Sequence, residues 1–398
     1  MNTVGIYVHI PFCASRCKYC DFCSTANRRD LIPAYRDALL KHIREAAGGI
    51  AQSVCDTVYF GGGTPSWFGT KSLIRIFEEM KRKFRVLKTA EVTLEANPDS
   101  TELKNLKKLR AAGFNRISIG AQSANDAILK FIGRRHKFED VVRAVSDARK
   151  AGFDNVSLDL IYGLPAQTRD DWVDTLTRVI ELEPDHISCY GLKIEPGTPL
   201  WEYRDSPMIP DDDLQADMYL YAVDTLAAHD YNQYEISNFC RPGKASKHNL
   251  KYWQLGDYLG LGASAASNIG DRRYTCVEDV EEYIRRVNSG EPLCGPIETV
   301  DQYERASEYL MLGLRTTHGI SEEEYAAIYR GGFGPLEELL KDYSVRGLAR
   351  FRDGRWSFTP PGFLLSNRLI GELLDAQTEC KFHIGTPWRE KDYFSTLF

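Results

Sequence analysis

His9–Ser24 reads HIPFCASRCKYCDFCS. It sets Cys13, Cys17, Cys20 and Cys23 within eleven residues, spaced C-x3-C-x2-C-x2-C. Three kinds of site use clustered thiols. A four-cysteine zinc site pairs its ligands as C-x2-C with the second pair well separated, and no distant pair is present here. A disulfide knot suits an oxidising compartment and a small secreted chain. An iron–sulfur cluster held by three thiolates leaves one iron without a protein ligand, free to take a substrate. The x3, x2 spacing favours the last.

Outward from this stretch, the first half of the chain alternates. Short β-branched runs, VGIYVHI, TVYFGGG, AEVTLEA, RISIGAQ, VSLDLIYG and HISCYGL, are separated by amphipathic segments at 31–47, 71–84, 101–112, 138–151 and 169–182. The third and fourth segments end in AAGF and KAGF, a glycine C-cap followed by an aromatic that opens the next strand. Strand–helix–strand at this spacing predicts a parallel sheet with right-handed crossovers. About six such units precede residue 200, and no GxGxxG follows the first strand, so a closed or partial barrel fits better than a dinucleotide-binding fold. Ligands collect at the carboxyl ends of such strands. Those ends carry the cysteine loop, GGGTP, Glu95, Gln122 and Asp159 in turn.

Beyond residue 200 the alternation weakens. A helix is expected from Asp211 to Ala228, capped by PDDD; YNQYEISNFC reads as a strand and RPGKASKHNLKYW as a loop. From Asp301 the pattern is helix, short acidic helix, helix, hairpin turning at Asp353-Gly354, then helix, an order like a winged helix. The segment from Asp375 has weak patterning and is expected to be poorly ordered. The 398 residues are 43% hydrophobic and 27% charged, with a net charge of −6. That balance argues against nucleic acid or an anionic membrane as the main partner. The first twelve residues lack a basic n-region, and no apolar run approaches the roughly 20 residues of a membrane span. A cytoplasmic protein is expected, with peripheral membrane association left open. The scattered Cys55, Cys189, Cys240, Cys276, Cys294 and Cys380 read as buried, inert thiols.

C-x3-C-x2-C after the first strand of a parallel barrel, with a glycine-rich turn after the second, resembles the radical S-adenosylmethionine (radical SAM) signature. YVHIPFCxxxCxYCDF, VYFGGGTPS, TLEANP, RISIGAQS, SLDLIYGLPAQT and EPGTPL resemble the group containing oxygen-independent coproporphyrinogen III oxidase, over residues 4 to about 374. The resemblance implies an α/β fold: a partial (β/α)6 radical SAM barrel over 1–200, an extension over 201–300, a smaller C-terminal α+β winged-helix-like domain over 301–374, and a tail over 375–398. It implies a [4Fe–4S] cluster on Cys13, Cys17 and Cys20. It also implies SAM on the open iron, whose electron releases a 5′-deoxyadenosyl radical. Tyr7 and Tyr19 match aromatic positions near SAM. Gly62, Gly63, Thr64 and Glu95 match SAM contacts, and Gln122, Arg134 and Asp159 match positions lining a second SAM site in the oxidase. The oxidase's extra cysteine stands where this chain has Phe22, so Cys23 is expected to be a spectator.

Two features bear on the member of the group. The first strand starts at residue 4, without the long leading segment of the oxidase, which counts against coproporphyrinogen decarboxylation. His248, Asn249, Tyr252 and Trp253 resemble the H-N-x-x-Y-W motif of the group's haem chaperones. An imidazole with aromatic neighbours suits a haem. The expected function is haem binding and transfer to acceptor haemoproteins; an oxidase-type enzyme and a radical SAM methyltransferase are the alternatives.

Overall fold

A computed structural model describes residues 3–50, 53–329 and 332–383. It divides into two compact units, Met1–Val300 and Asp301–Phe398. The first unit is built on six parallel strands, β1 (Thr3–Ile10), β2 (Val54–Gly62), β3 (Val86–Ala96), β4 (Arg116–Gln122), β5 (Asn155–Tyr162) and β6 (His186–Gly191). The crossovers are α1 (Ile32–Ala46), α2 (Thr70–Lys83), α3 (Leu103–Ala112), α4 (Phe138–Ala151) and α5 (Arg169–Ile180). The expected bounds hold to within two residues.

The local reasons are legible. Gly113 and Gly152 close α3 and α4 in the left-handed conformation, at φ 117° and 93°. Phe114, next after Gly113, is fully buried and packs on Phe60 at 5.0 Å and Phe77 at 5.3 Å, locking β4 against β2 and α2. A capping box between Thr168 and Asp171 starts α5. All seven residues of β4 are buried, as expected where both faces of a parallel sheet are covered.

The remainder of this unit extends the sheet at both edges. Beside β6 lies antiparallel β7 (Asn238–Cys240). At the other edge β8 (Tyr258–Leu261) pairs parallel with β1, a seventh parallel strand that the sequence reading lacked. Antiparallel β9 (Ala266–Ile269) and β10 (Arg272–Thr275) follow. The order is β10-β9-β8-β1-β2-β3-β4-β5-β6-β7, with two-residue strands Glu298–Thr299 and Asn232–Gln233 outermost. The described sheet is therefore open, a partial barrel. Helix α6 (Asp212–Ala228) starts on the Asp211 carboxylate, which accepts from Leu214 N. The stretch expected as a loop contains α7 (Lys247–Trp253), capped by Ser246.

The second unit contains α9 (Gln302–Gly313), α10 (Glu322–Ile328), α11 (Gly334–Val345), the hairpin β11 (Ala349–Arg352) and β12 (Arg355–Phe358), and α12 (Ser366–His383); α8 (Val280–Ser289) belongs to the first unit. The hairpin turns at Asp353 and Gly354, both with positive φ, and Ile320 bridges to Trp356 beside it. The expected tail is helical as far as His383, a correction; the rest of it lies outside the described residues. Among the described residues no helix is long and apolar enough to cross a membrane.

Candidate SAM and iron–sulfur site

β1 delivers the cysteine loop at its carboxyl end, and β2 delivers the glycine turn beside it. Gly63 N donates to Ile10 O at 2.9 Å and Thr64 N to Phe12 O at 2.8 Å, so the turn brackets Cys13. A Cβ on Gly63 would lie 2.9 Å from the Phe12 backbone and 3.0 Å from Cys13 Sγ. Only glycine admits that approach. Gly62 has φ 113°, and its N–H donates to Glu95 Oε2 at 3.1 Å. The far side of the loop is pinned by Lys18 N to Ile132 O at 3.0 Å and Leu200 N to Lys18 O at 3.0 Å. Tyr19 packs against the apolar cluster of Ile128, Leu129, Ile132, Ile161 and Leu164.

One polar network joins Arg134 and Thr64 to two of the expected cluster cysteines. Arg134 donates to Asn97 Oδ1 at 2.9 Å, to Gly120 O at 2.7 Å and to Cys17 Sγ at 3.6 Å. Asn97 donates on to Thr64 Oγ1 at 3.2 Å, which donates to Cys13 Sγ at 3.4 Å. Gln122 has φ 67°, and its amide lies over Gly120 beside Arg134, where a Gly120 Cβ would come within 2.7 Å of Gln122 Nε2. Asp159 accepts from Ser118 at 2.9 Å and Ser188 at 2.7 Å, and burial pushes its carboxyl up. Glu95 accepts from Tyr59 at 2.7 Å. Burial, then the nearby Asp159 charge, push its carboxyl up to about 7. Tyr7 bonds to His9 Nδ1 at 3.0 Å and stacks on Tyr59 at 6.2 Å. Asn97, Tyr59, His9 and the two serines are additions. Asn97 and Tyr59 stand inside the TLEANP and VYFGGG stretches, but neither had a pattern of its own to mark it.

The three expected ligands are electrostatic neighbours. Burial raises Cys13 and Cys20; beyond that, Cys17 acts on Cys13, and Cys17 and Cys13 act on Cys20. Cys23 turns elsewhere. Its thiol donates to Glu278 O at 3.5 Å, and the charges around it are Glu278, Arg16 and Asp279. Among the described residues no three His, Cys, Asp or Glu side chains are placed to hold one metal ion. Cluster thiolates each take a different iron.

His248, Asn249, Tyr252 and Trp253 are not in a loop outside the barrel, and this too is a correction. They lie on α7, which packs against β2, and His248 is 0% exposed. Its Nδ1 meets Thr57 Oγ1 at 2.8 Å and its Nε2 meets Tyr252 OH at 2.9 Å. Its ring stacks on Tyr59 at 5.2 Å, which ties α7 to Glu95. Glu91 accepts from the N–H groups of Lys247 and His248, and Lys251 pairs with Asp56 at 2.9 Å. Burial holds His248 neutral, with its pKa lowered to about 3. Asn249 and Trp253 are half-buried.

A parallel α/β sheet with this cysteine loop and glycine turn at adjacent strand ends defines a radical SAM protein. Residues 7–179 match the radical SAM superfamily and residues 300–365 the HemN C-terminal domain. The "Heme chaperone HemW" of Bacillus subtilis (strain 168) is 36% identical over 92% of this chain and 98% of its own length. The protein of the same description from Haemophilus influenzae is 35% identical over 92% and 97%. The coproporphyrinogen III oxidase HemN of Escherichia coli, a solved radical SAM enzyme, superposes with a TM-score of 0.82 at 25% identity, covering 94% of this chain and 90% of that one. The chain belongs to the HemW family of the radical SAM superfamily. Membership in the superfamily implies a [4Fe–4S] cluster and SAM.

Proposed function

We propose that this protein is a haem chaperone that carries a SAM-liganded [4Fe–4S] cluster, binds haem and passes it to acceptor haemoproteins in the cytoplasm. The observation that carries the cluster half is the close approach of Gly63 to Cys13, where even a Cβ would come within 3.0 Å of the sulfur. Cys13, Cys17 and Cys20 would hold three irons, and the cluster would supply one electron at the fourth. Arg134 offsets thiolate charge at Cys17. Glu95 and the Gly62–Thr64 turn would hold SAM, with Tyr7 and Tyr19 as aromatic walls. Gln122, Arg134 and Asp159 stand as candidates for a second SAM. HemW relatives matching nearly their whole length support the chaperone half.

His248 enters this reading with two states. In the arrangement described, Thr57 and Tyr252 occupy both ring nitrogens and the ring braces the floor under Tyr59. Ligation of haem iron by His248 therefore requires α7 to release the ring, with Tyr252 and Trp253 becoming the aromatic surround and Asn249 a polar neighbour. Stopped-flow haem addition tests this through the Soret band. Tyr252→Phe removes one restraint, so haem association should quicken several-fold; His248→Ala should lose or shift the band. Haem binding indifferent to both would leave α7 as a structural floor and move the haem site elsewhere. Stoichiometric decarboxylation of coproporphyrinogen would instead favour the oxidase reading.

A further inference from the structure

Cys276 and Cys294 were expected to be inert. The structure places them opposite each other in an antiparallel bridge, with sulfurs 3.5 Å apart. The flanking hydrogen bonds fix the kind of pair. Val277 N donates to Leu293 O at 2.9 Å and Gly295 N to Thr275 O at 3.1 Å, while Cys276 N turns away to Ala265 O. Cys276 and Cys294 thus exchange no backbone bonds with each other. In such a non-hydrogen-bonded pair the Cα atoms approach to about 4.5 Å, within the span a disulfide needs. The two thiols differ in access. Cys276 is 3% exposed, whereas Cys294 is only half-buried. The hydrogen bond between them lowers the Cys294 thiol and raises that of Cys276, so Cys294 is the readier thiolate.

We propose that Cys276 and Cys294 form a redox-active dithiol that closes to an intramolecular disulfide by exchange with a low-molecular-weight disulfide. The Cys294 thiol gives its proton to solvent, and its sulfur attacks the small disulfide. The S–S bond breaks, and one small thiolate leaves and is protonated. The Cys276 thiol then gives up its proton and attacks Cys294 sulfur, releasing the second small thiolate, which is protonated in turn. Two protein thiols are oxidised and one small disulfide is reduced to two thiols. Closure ties the ends of the segment holding α8. That helix is fastened to α1 by Tyr283 and His42 at 2.9 Å, and Glu278, which Cys23 touches, lies two residues from Cys276. The dithiol thus lies two residues from the backbone that meets Cys23 of the cysteine loop.

The test uses the full chain with its cluster reconstituted anaerobically. Samples are equilibrated in graded mixtures of reduced and oxidised glutathione, quenched in acid, unfolded, alkylated and mapped by peptide mass. Cys276 and Cys294 should lose alkylation together and appear as one cross-linked pair, lighter by about 2 Da. Cys55, Cys189 and Cys240 should stay fully alkylated. Cys276→Ser should trap glutathione on Cys294, and Cys294→Ser should trap none on Cys276. Full alkylation of both at the most oxidising mixture, or a stable glutathione adduct on Cys294 of the unmutated chain, overturns the proposal.

Discussion

At the scale of single residues, Glu95 and Gly63 carry the sharpest consequences. Glu95 titrates near 7 because burial and then Asp159 disfavour its charge, against the hydrogen bonds of Tyr59 and Gly62. SAM carries a positive sulfonium, so an ionised Glu95 is the form that suits it. Below pH 7 the carboxyl keeps its proton, and SAM binding must expel it. Affinity is expected to fall about tenfold per pH unit below 7, and Glu95→Gln should flatten that dependence; equal slopes in both proteins would remove Glu95 from the site. With no ligand the sign for folding is opposite. The folded state binds this proton more tightly than the unfolded one, so its contribution is fullest below pH about 4.3 and is lost as pH rises through 7. Gly63→Ala is expected to retain the circular dichroism of the fold but lose most bound iron, because the new Cβ meets rigid backbone at Phe12 rather than a side chain that can move. Iron content equal to that of the unmutated protein would contradict this.

At the scale of elements, α7 is a seven-residue helix held mainly by what surrounds it. Glu91 accepts two of its first N–H groups and is also the strongest acidic influence on Arg116, which is 2% exposed. Glu91→Ala removes a cap and leaves a buried guanidinium less balanced. It is expected to cost at least ~2 kcal/mol, read as a lower urea midpoint at unchanged slope; an unchanged midpoint would make the cap dispensable. The same helix shows where sequence reading stopped. The crossover helices and six strands were legible because the helices carry an apolar face and the strands a β-branched run, and because Gly113, Gly152 and the Thr168–Asp171 box mark ends of α3, α4 and α5. SKHNLKYW has too few residues for a 3.6-residue period to appear, so it passed for a loop. YLGL, four residues with Gly260 inside and Gly262 after, gave no alternation to mark β8. The helical run past Asp375 is polar enough to hide its continuation. At the site, the cysteines and GGGTP were legible because their spacing is chemical. Asn97, Tyr59 and the Cys276–Cys294 pair were not, because each owes its position to residues distant in sequence.

At the scale of the whole molecule, six parallel strands gather the cysteine loop, the glycine turn and the Glu95, Gln122 and Asp159 positions at one end of an open sheet. Beneath them α7 closes the interior through His248 and Tyr59. Three thiols are expected to hold the cluster and leave one iron open to SAM, with Cys23 outside the site. Iron content and electron paramagnetic resonance of the anaerobically reconstituted, reduced protein, recorded with and without SAM, test it directly in the unmutated chain, Cys17→Ala and Cys23→Ala. The unmutated chain and Cys23→Ala are expected to hold about four irons with a signal that SAM alters, and Cys17→Ala to lose both. A Cys23→Ala protein as empty as Cys17→Ala, or a cluster signal indifferent to SAM, would overturn this ligand assignment.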